Sequence, residues 1–474
     1  MIHPGLSRRG FLTSAASSPL LRGAARRPPN VILILTDNLG YGDLGCYGSS
    51  RHRTPHIDRM AQQGIRFTDC YAASGVCTPS RAALLTGCYP RRVGLHYTSD
   101  GAVLRPISPN GLHPDELTIA ELLKARGYAT GIIGKWHLGD QIPFLPTRHG
   151  FDSYFGIPYS EDMVANPKAK PLPWPPLPLM ENEEVIEAPV DRDPLTRRYT
   201  EKSVEWIGRH RDRPFFLYLS HAMPGSTASP HASPAFRGRS ANGRYGDAVE
   251  EIDWSTGRIL ETLRANGIDR DTLVIWTSDN GAVRRDPTQG SNLPMGGWGY
   301  TTSEGGQRVP CIARWPGYIP AGSSCSALVT LMDWLPTLRS LTGARRTRGG
   351  TIDGKDLRPL LTGKSQTSPH QAFYYYYGPQ LQAVRAGAWK LVLPLERKIV
   401  SLTGATAPGE LALYDVVRDP GETTNLASRH PPVVRRLTAL AEKARVDLGD
   451  VDRPGKGQRS CGRTENPTPR LLRS

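Results

Sequence analysis

The chain has 474 residues, 38% of them apolar and 22% charged, which suits a folded globular protein with one large domain and a smaller companion. The longest aliphatic run, Val31 to Leu35, falls far short of the roughly 20 residues that a membrane-crossing helix needs, so no transmembrane helix is expected. A net charge of +15 and an isoelectric point near 9.6 favour anionic partners, but there is no zinc-finger spacing or Walker loop, and no nucleic-acid partner is expected.

Seven cysteines are too few for a disulfide scaffold in a chain this long, and the lack of any C-x-x-C pair argues against a redox or zinc site. Residues 1–27 carry Arg8, Arg9, Arg22, Arg26 and Arg27 without an acid. Ser7-Arg8-Arg9-Gly10-Phe11-Leu12 fits the twin-arginine export pattern, a modestly apolar stretch follows to Leu21, and Gly23-Ala24-Ala25 offers small residues for cleavage. Residues 1–27 are therefore read as a signal for the twin-arginine export machinery, giving an exported, periplasmic or extracellular protein; the alternative is a basic, disordered tail.

Val31 to Leu35 reads as a strand buried on both faces, of the kind found inside a parallel sheet. A helix is expected over about Pro55–Gln63, a strand over Ile65–Tyr71, a helix over Thr118–Arg126 and a strand over Tyr128–Ile133. Helices near 197–210 and 245–265 then alternate with strands at Phe215–Leu219 and Thr272–Thr277. This alternation predicts an α/β fold with a large, mostly parallel sheet flanked by helices, and places functional residues beyond the carboxyl ends of the strands. The proline-rich residues 165–190 read as an extended surface insertion. Strands at Phe373–Tyr377, Trp389–Leu393 and Leu411–Val416 and a helix near 431–446 predict a smaller antiparallel C-terminal subdomain. The boundaries are a large domain over 28–365, the subdomain over 366–452 and a loose basic tail over 453–474.

Cys77-Thr78-Pro79-Ser80-Arg81 is the sharpest chemical feature. With Thr78 as cap and Pro79 in the first turn, Cys77 would sit at the positive end of a helix, which favours a reactive thiolate; the plainer reading is a buried cysteine. Asp37-Asn38 and Asp279-Asn280 each follow a buried strand. Singly such pairs are common turns, but two at matching strand ends suit a hard cation such as calcium or magnesium. Lys135-Trp136-His137 follows a third strand and adds an anion-binding and a proton-transferring side chain.

These segments resemble the formylglycine-dependent sulfatases, which are arylsulfatase-like members of the alkaline-phosphatase-like superfamily. The motifs run in order: TDNLGYGDLGCYG from Thr36, CTPSRAALLTG from Cys77, GKWHLG from Gly134, TSDNG from Thr277, EGGQRVP from Glu304 and LYDVVRDPGETTNL from Leu413. The resemblance implies that a separate maturation enzyme oxidises Cys77 to formylglycine. One hydroxyl of the hydrated aldehyde then attacks sulfur, and the other ejects the sulfate afterwards. It implies one calcium ion held by Asp37, Asn38, Asp279, Asn280 and position 77, with Arg81 holding the nucleophile, Lys135 binding sulfate and His137 assisting proton movement. Ser160 resembles a substrate-contact serine.

Three departures accompany the resemblance. Asn38 stands where the family usually has a second aspartate, Gly225 where relatives carry a histidine that contacts sulfate, and Trp298 where they carry a lysine, with one residue inserted. Either His221 or His231 takes the proton role and Arg284 or Arg285 the charge, or catalysis has weakened. The sequence therefore predicts hydrolysis of a sulfated carbohydrate or aryl sulfate. The alternatives are phosphoester or phosphonate-monoester hydrolysis, or a sulfated-glycan-binding protein without turnover.

Overall fold

The computed structural model describes Met1 and residues 28–473, except 171, 285–289, 346, 347, 349, 396–398, 400, 403–408 and 452. The expected export signal therefore lies outside the described residues. Among the described residues no helix is long and apolar enough to cross a membrane.

A large mixed sheet organises the chain. Its strands are β1 (Asn30–Asp37), β2 (Ile65–Tyr71), β3 (Ala129–Gly134), β4 (Ser153–Gly156), β5 (Leu179–Glu181), β6 (Glu184–Glu187), β7 (Phe215–Pro224), β8 (Thr272–Ser278), β9 (Arg308–Arg314) and β10 (Ser323–Cys325). They lie in the order β10-β2-β9-β8-β1-β7-β3-β4-β5-β6, and Val329–Thr330 also pairs with β2. The centre is parallel: β1 pairs with both β7 and β8, and β7 with β3. β9 is antiparallel to its neighbours β8 and β2. Every residue of β1 is buried, as its unbroken apolar run requires of a strand covered on both faces.

Helices α1 (Pro55–Gln62), α2 (Cys77–Thr86), α3 (Ile119–Lys124), α4 (Leu195–His210), α5 (Gly243–Ala265) and α6 (Trp334–Thr342) flank the sheet. Two apolar cores lie on its opposite faces, one containing Leu33, Leu84 and Leu335, the other Ile34, Leu219 and Ile252. α2 is buried along its entire length, with Ala82, Leu84 and Leu85 in the first of these cores and Ala83 in a third, which it shares with the C-terminal residues.

Beyond this lies a four-stranded antiparallel sheet, β11 (Phe373–Tyr377), β12 (Gln380–Ala386), β13 (Trp389–Val392) and β14 (Ala412–Asp415), with α7 (Pro431–Leu448) against it. This is the expected fold class. β12 escaped the sequence reading because its polar residues are buried by partners supplied from elsewhere. Arg385 makes two hydrogen bonds to Asp69 of β2, at 2.6 and 2.7 Å, and Lys390 reaches Glu422 at 2.8 Å and Glu304 at 3.3 Å. This buried ionic seam joins the two sheets.

Two local expectations change. The tail expected to be loose is held down: Gly462–Arg463 pairs with Asn110–Gly111, and Arg459 grips Glu116 at 2.6 and 2.8 Å. Backbone pairing and a two-pronged ion pair offset the ordering entropy that the polar composition alone would leave unmatched. The proline-rich insertion is extended as expected, but it also delivers Leu177, Leu179 and Met180 to the core and ends in the β5–β6 hairpin that lengthens the sheet edge.

Removing Arg385 leaves the Asp69 carboxylate buried with a weaker complement. Arg385→Ala is expected to lower unfolding free energy by about 3 kcal/mol, read from chemical denaturation; an unchanged midpoint would show that the seam adds nothing to stability.

Candidate active site

The carboxyl ends of β1, β3 and β8 converge on the first turn of α2. β1 ends in Asp37-Asn38, β8 leads into Asp279-Asn280, β3 leads into Lys135, and α2 begins with Cys77. The Cys77 thiol lies 3.2 Å from Asp37 Oδ1 and 3.8 Å from Asn38 Oδ1. Arg81, one turn further along α2, donates from Nε to Asp279 Oδ2 at 2.9 Å, from a terminal nitrogen to Asp37 Oδ1 at 3.3 Å, and to Ser220 Oγ at 2.6 Å. Lys135 Nζ donates to Asp37 Oδ2 at 2.7 Å and to Ser160 Oγ at 3.0 Å. Asp37, Asp279, Arg81 and Lys135 all have fully buried side chains.

Burial alone would raise Asp37, but the adjacent Lys135 and Arg81 charges outweigh it and hold its carboxyl well below the usual range. Asp279 goes the other way, pushed up to about 7 by burial and by the Asp37 charge against the pull of Arg81. The same burial and the Asp37 charge push the Cys77 thiol well up. The thiolate expected at the helix end is therefore disfavoured, because a carboxylate 3.2 Å away outweighs a helix terminus. Val76 rather than Thr78 occupies the cap position; Thr78 instead donates to the His137 carbonyl at 3.1 Å.

His137 is buried with Nε2 3.0 Å from the Leu104 carbonyl, so that nitrogen carries the proton. Burial, with Lys135 and Arg81 nearby, keeps the ring neutral and leaves Nδ1, which has no partner, as a free lone pair. Asn38 and His137 both adopt left-handed backbone conformations, at φ 59° and 63°, a strained geometry that side-chain residues reach mainly at functional sites. Asp37, Cys77 and Asp279 present donor atoms within 4.8 Å of one another, and the buried Asn280 Oδ1 has no hydrogen-bond partner. A pocket of about 380 Å³ opens over this cluster, with Cys77, His137, Ser160, Ser226 and Tyr300 among its inner lining and Arg105, Lys170 and Trp174 among its other walls.

A family model described as Sulfatase matches residues 29–344, and one described as N-sulphoglucosamine sulphohydrolase, C-terminal, matches residues 300–446. The chain belongs to the sulfatase family. It is 39% identical to human arylsulfatase A over 462 residues, covering 90% of this chain and 89% of that protein. It is 36% identical to mouse steryl-sulfatase over 529 residues, covering 91% and 84%. A solved structure from Bacteroides thetaiotaomicron, described under metabolism of multiple glycosaminoglycans, superposes with a TM-score of 0.77 at 29% identity, covering 88% of this chain and 99% of that one. The protein is accordingly a sulfuric ester hydrolase.

The sulfatase brings Asp37, Asn38, Cys77, Arg81, Lys135, His137, Ser160, Asp279 and Asn280 together, but not the two substitute histidines. β7 runs on to Pro224 rather than ending at Leu219, so alternation turns Ser220 toward Arg81 and His221 to the opposite face. There His221 Nε2 meets Ser255 Oγ of α5 at 3.2 Å. His231 pairs with Asp193 at 2.7 Å and is not among the residues lining the pocket. Arg284 is exposed, and Arg285 lies outside the described residues.

The sequence reading missed Glu161, Ser226 and Tyr300. Glu161, buried and pushed up to about 7 by burial and by Asp162 and Asp37, accepts from the backbone nitrogens of Ser226 and Thr227 at 2.6 and 2.9 Å and from Ser160 Oγ at 2.9 Å. A Cβ on Gly225 would lie 2.4 Å from its Oε1, so a side chain at 225 would require the Glu161 carboxylate to move, and the φ of 79° there favours glycine. The glycine at 225 was the available signal.

Because His221 faces away, His221→Gln is expected to keep sulfate-ester hydrolysis within about threefold, whereas His137→Ala costs roughly 10² or more in kcat/KM. Steady-state kinetics on one aryl sulfate checks both; a larger loss at 221 than at 137 would reverse the assignment.

Proposed function

We propose that this sulfatase hydrolyses a sulfated carbohydrate or aryl sulfate using a formylglycine made from Cys77 and one bound calcium ion. The carrying observation is the contact of Cys77 with a buried cluster whose carboxylate and amide oxygens suit a hard cation. Two features support that fit: the unpartnered Asn280 Oδ1, and an Asp279 carboxyl that burial and Asp37 keep from ionising readily without a further positive charge.

In this reading Asp37, Asn38, Asp279 and Asn280 would hold the ion. Calcium would supply charge against the sulfate oxygens, and formylglycine the hydroxyl nucleophile. Arg81 orients position 77 and the two aspartates, its own position fixed by Ser220 and the Lys135 carbonyl. Lys135 and Ser160 face the sulfate from the β3 side, and the free Nδ1 lone pair of His137 accepts a proton at position 77. Even with both carboxylates ionised they only match the two buried cations, so an added divalent ion would leave net positive charge for an anionic ester. Arg105, Lys170 and the Trp174 ring in the pocket wall favour an anionic glycan, since the cations attract acidic groups and the ring can stack on a sugar face. The maturation enzyme and the twin-arginine export machinery are the partners this reading requires, and an exported location follows from them.

Mass spectrometry of the Cys77 peptide from protein made with a maturation enzyme is expected to show the residue without its sulfur, and Cys77→Ala should release no sulfate. An unmodified cysteine in protein with full activity would overturn the formylglycine assignment. Chelation is expected to lower the melting temperature and cut sulfate release at least about 10²-fold, with both restored by calcium; indifference to chelation would remove the metal from the account.

A further inference from the structure

The three departures from the family pattern meet at one point of the pocket. Ser226 follows the Gly225 turn, Tyr300 lies on the loop that carries the inserted residue, and both line the pocket with Cys77. Their hydroxyl oxygens are 2.7 Å apart, and Asn38 Nδ2 lies 2.9 Å from Ser226 Oγ and 3.3 Å from Tyr300 Oη. Asn38 Oδ1 faces Cys77 and accepts from Asn280 Nδ2 at 2.6 Å, so the amide hydrogens face the two hydroxyls.

Asn38 starts a chain by supplying one amide hydrogen to each hydroxyl. Either hydroxyl can donate in the 2.7 Å bond between them, so one of the two hydroxyl hydrogens is left over for the pocket. When Ser226 donates, Tyr300 Oη accepts from both Ser226 and Asn38 and its own hydrogen is free to point into the pocket, where the more acidic phenol is the stronger donor of the two hydroxyls. An aspartate at 38 would offer only acceptors and could not start the chain, which gives the asparagine a physical reason. Tyr300 has a left-handed backbone at φ 64°, an unfavourable conformation for a residue with a side chain. Hydrogen bonds from Tyr300 N to the Gly75 carbonyl and from Gly299 N to the Ala282 carbonyl, both 2.8 Å, hold it there. His137 does not duplicate the role, because its one proton is spent on the Leu104 carbonyl and it presents an acceptor to the pocket.

We propose that Tyr300, aligned by Ser226 and Asn38, is a catalytic residue that donates a hydrogen bond to the bridging oxygen of the sulfate ester as its bond to sulfur breaks. The inference rests on the sulfatase reading and adds to it the group that meets the departing alcohol. Negative charge builds on that oxygen, and a neutral donor fixed in a buried site stabilises it at little reorganisation cost. The benefit grows with the basicity of the departing alkoxide.

The test is kcat/KM, which reports the ester-cleavage step, for aryl sulfates from 4-nitrophenyl to 4-methoxyphenyl with matured wild type, Tyr300→Phe and Ser226→Ala. Tyr300→Phe is expected to lose roughly tenfold on the 4-nitrophenyl ester and on the order of 10²–10³ on the 4-methoxyphenyl ester. Ser226→Ala is expected to show the same trend with smaller losses, and carries the test alone should Tyr300→Phe fail to show a native melting transition. Equal losses across the series, or none, overturn the role of Tyr300. Wild-type protein that cleaves none of these esters or any sulfated sugar overturns the sulfatase reading itself, and the proposal with it.

Discussion

The site depends on holding two carboxyl groups and two cations together and dry at the ends of neighbouring parallel strands. Desolvating each such group costs several kcal/mol, and the mutual contacts of Asp37, Asp279, Arg81 and Lys135 must offset that cost. The geometry follows from the need. α2 must begin at the carboxyl ends of the strands so that Arg81 reaches both aspartates, and β1 and β8 must be adjacent so that the aspartates share it. The result is a buried cluster in which each aspartate contacts Arg81 and Asp37 also contacts Lys135.

The surrounding fold serves this arrangement. The ionic seam between the two sheets fixes Glu304, whose carboxylate meets Lys390 and Tyr375, and whose backbone nitrogen donates to Glu422 at 2.8 Å. Glu304 closes the loop that carries Tyr300, so the C-terminal sheet braces one wall of the pocket. The adjoining part of the lining is braced by Glu161, which ties the Ser226 turn to Ser160 and through it to Lys135.

The central strands were legible because parallel strands covered on both faces are continuous apolar runs, and their polar ends mark where chemistry begins. Asp37, Asp279 and Lys135 could be read that way, and Cys77 and Arg81 from one turn of helix spacing. His221 could not be placed from sequence, since its direction depends on β7 continuing past Leu219 and thus on pairing with β1. Tyr300 was out of reach for a similar reason: its partner Asn38 is 262 residues away, and only the folded loop brings the hydroxyl back. β12 was hidden because Gln380, Gln382 and Arg385 look exposed in a linear reading and are buried by distant partners.

Diffraction from crystals of the matured protein grown with calcium, using the ion's anomalous signal, tests the central claim most directly. The account predicts one ion held by oxygens of Asp37, Asn38, Asp279 and Asn280 at about 2.3–2.6 Å, with Arg81 and Lys135 still in contact with the aspartates. An ion bound elsewhere, or none with the four side chains closed on one another, would contradict it.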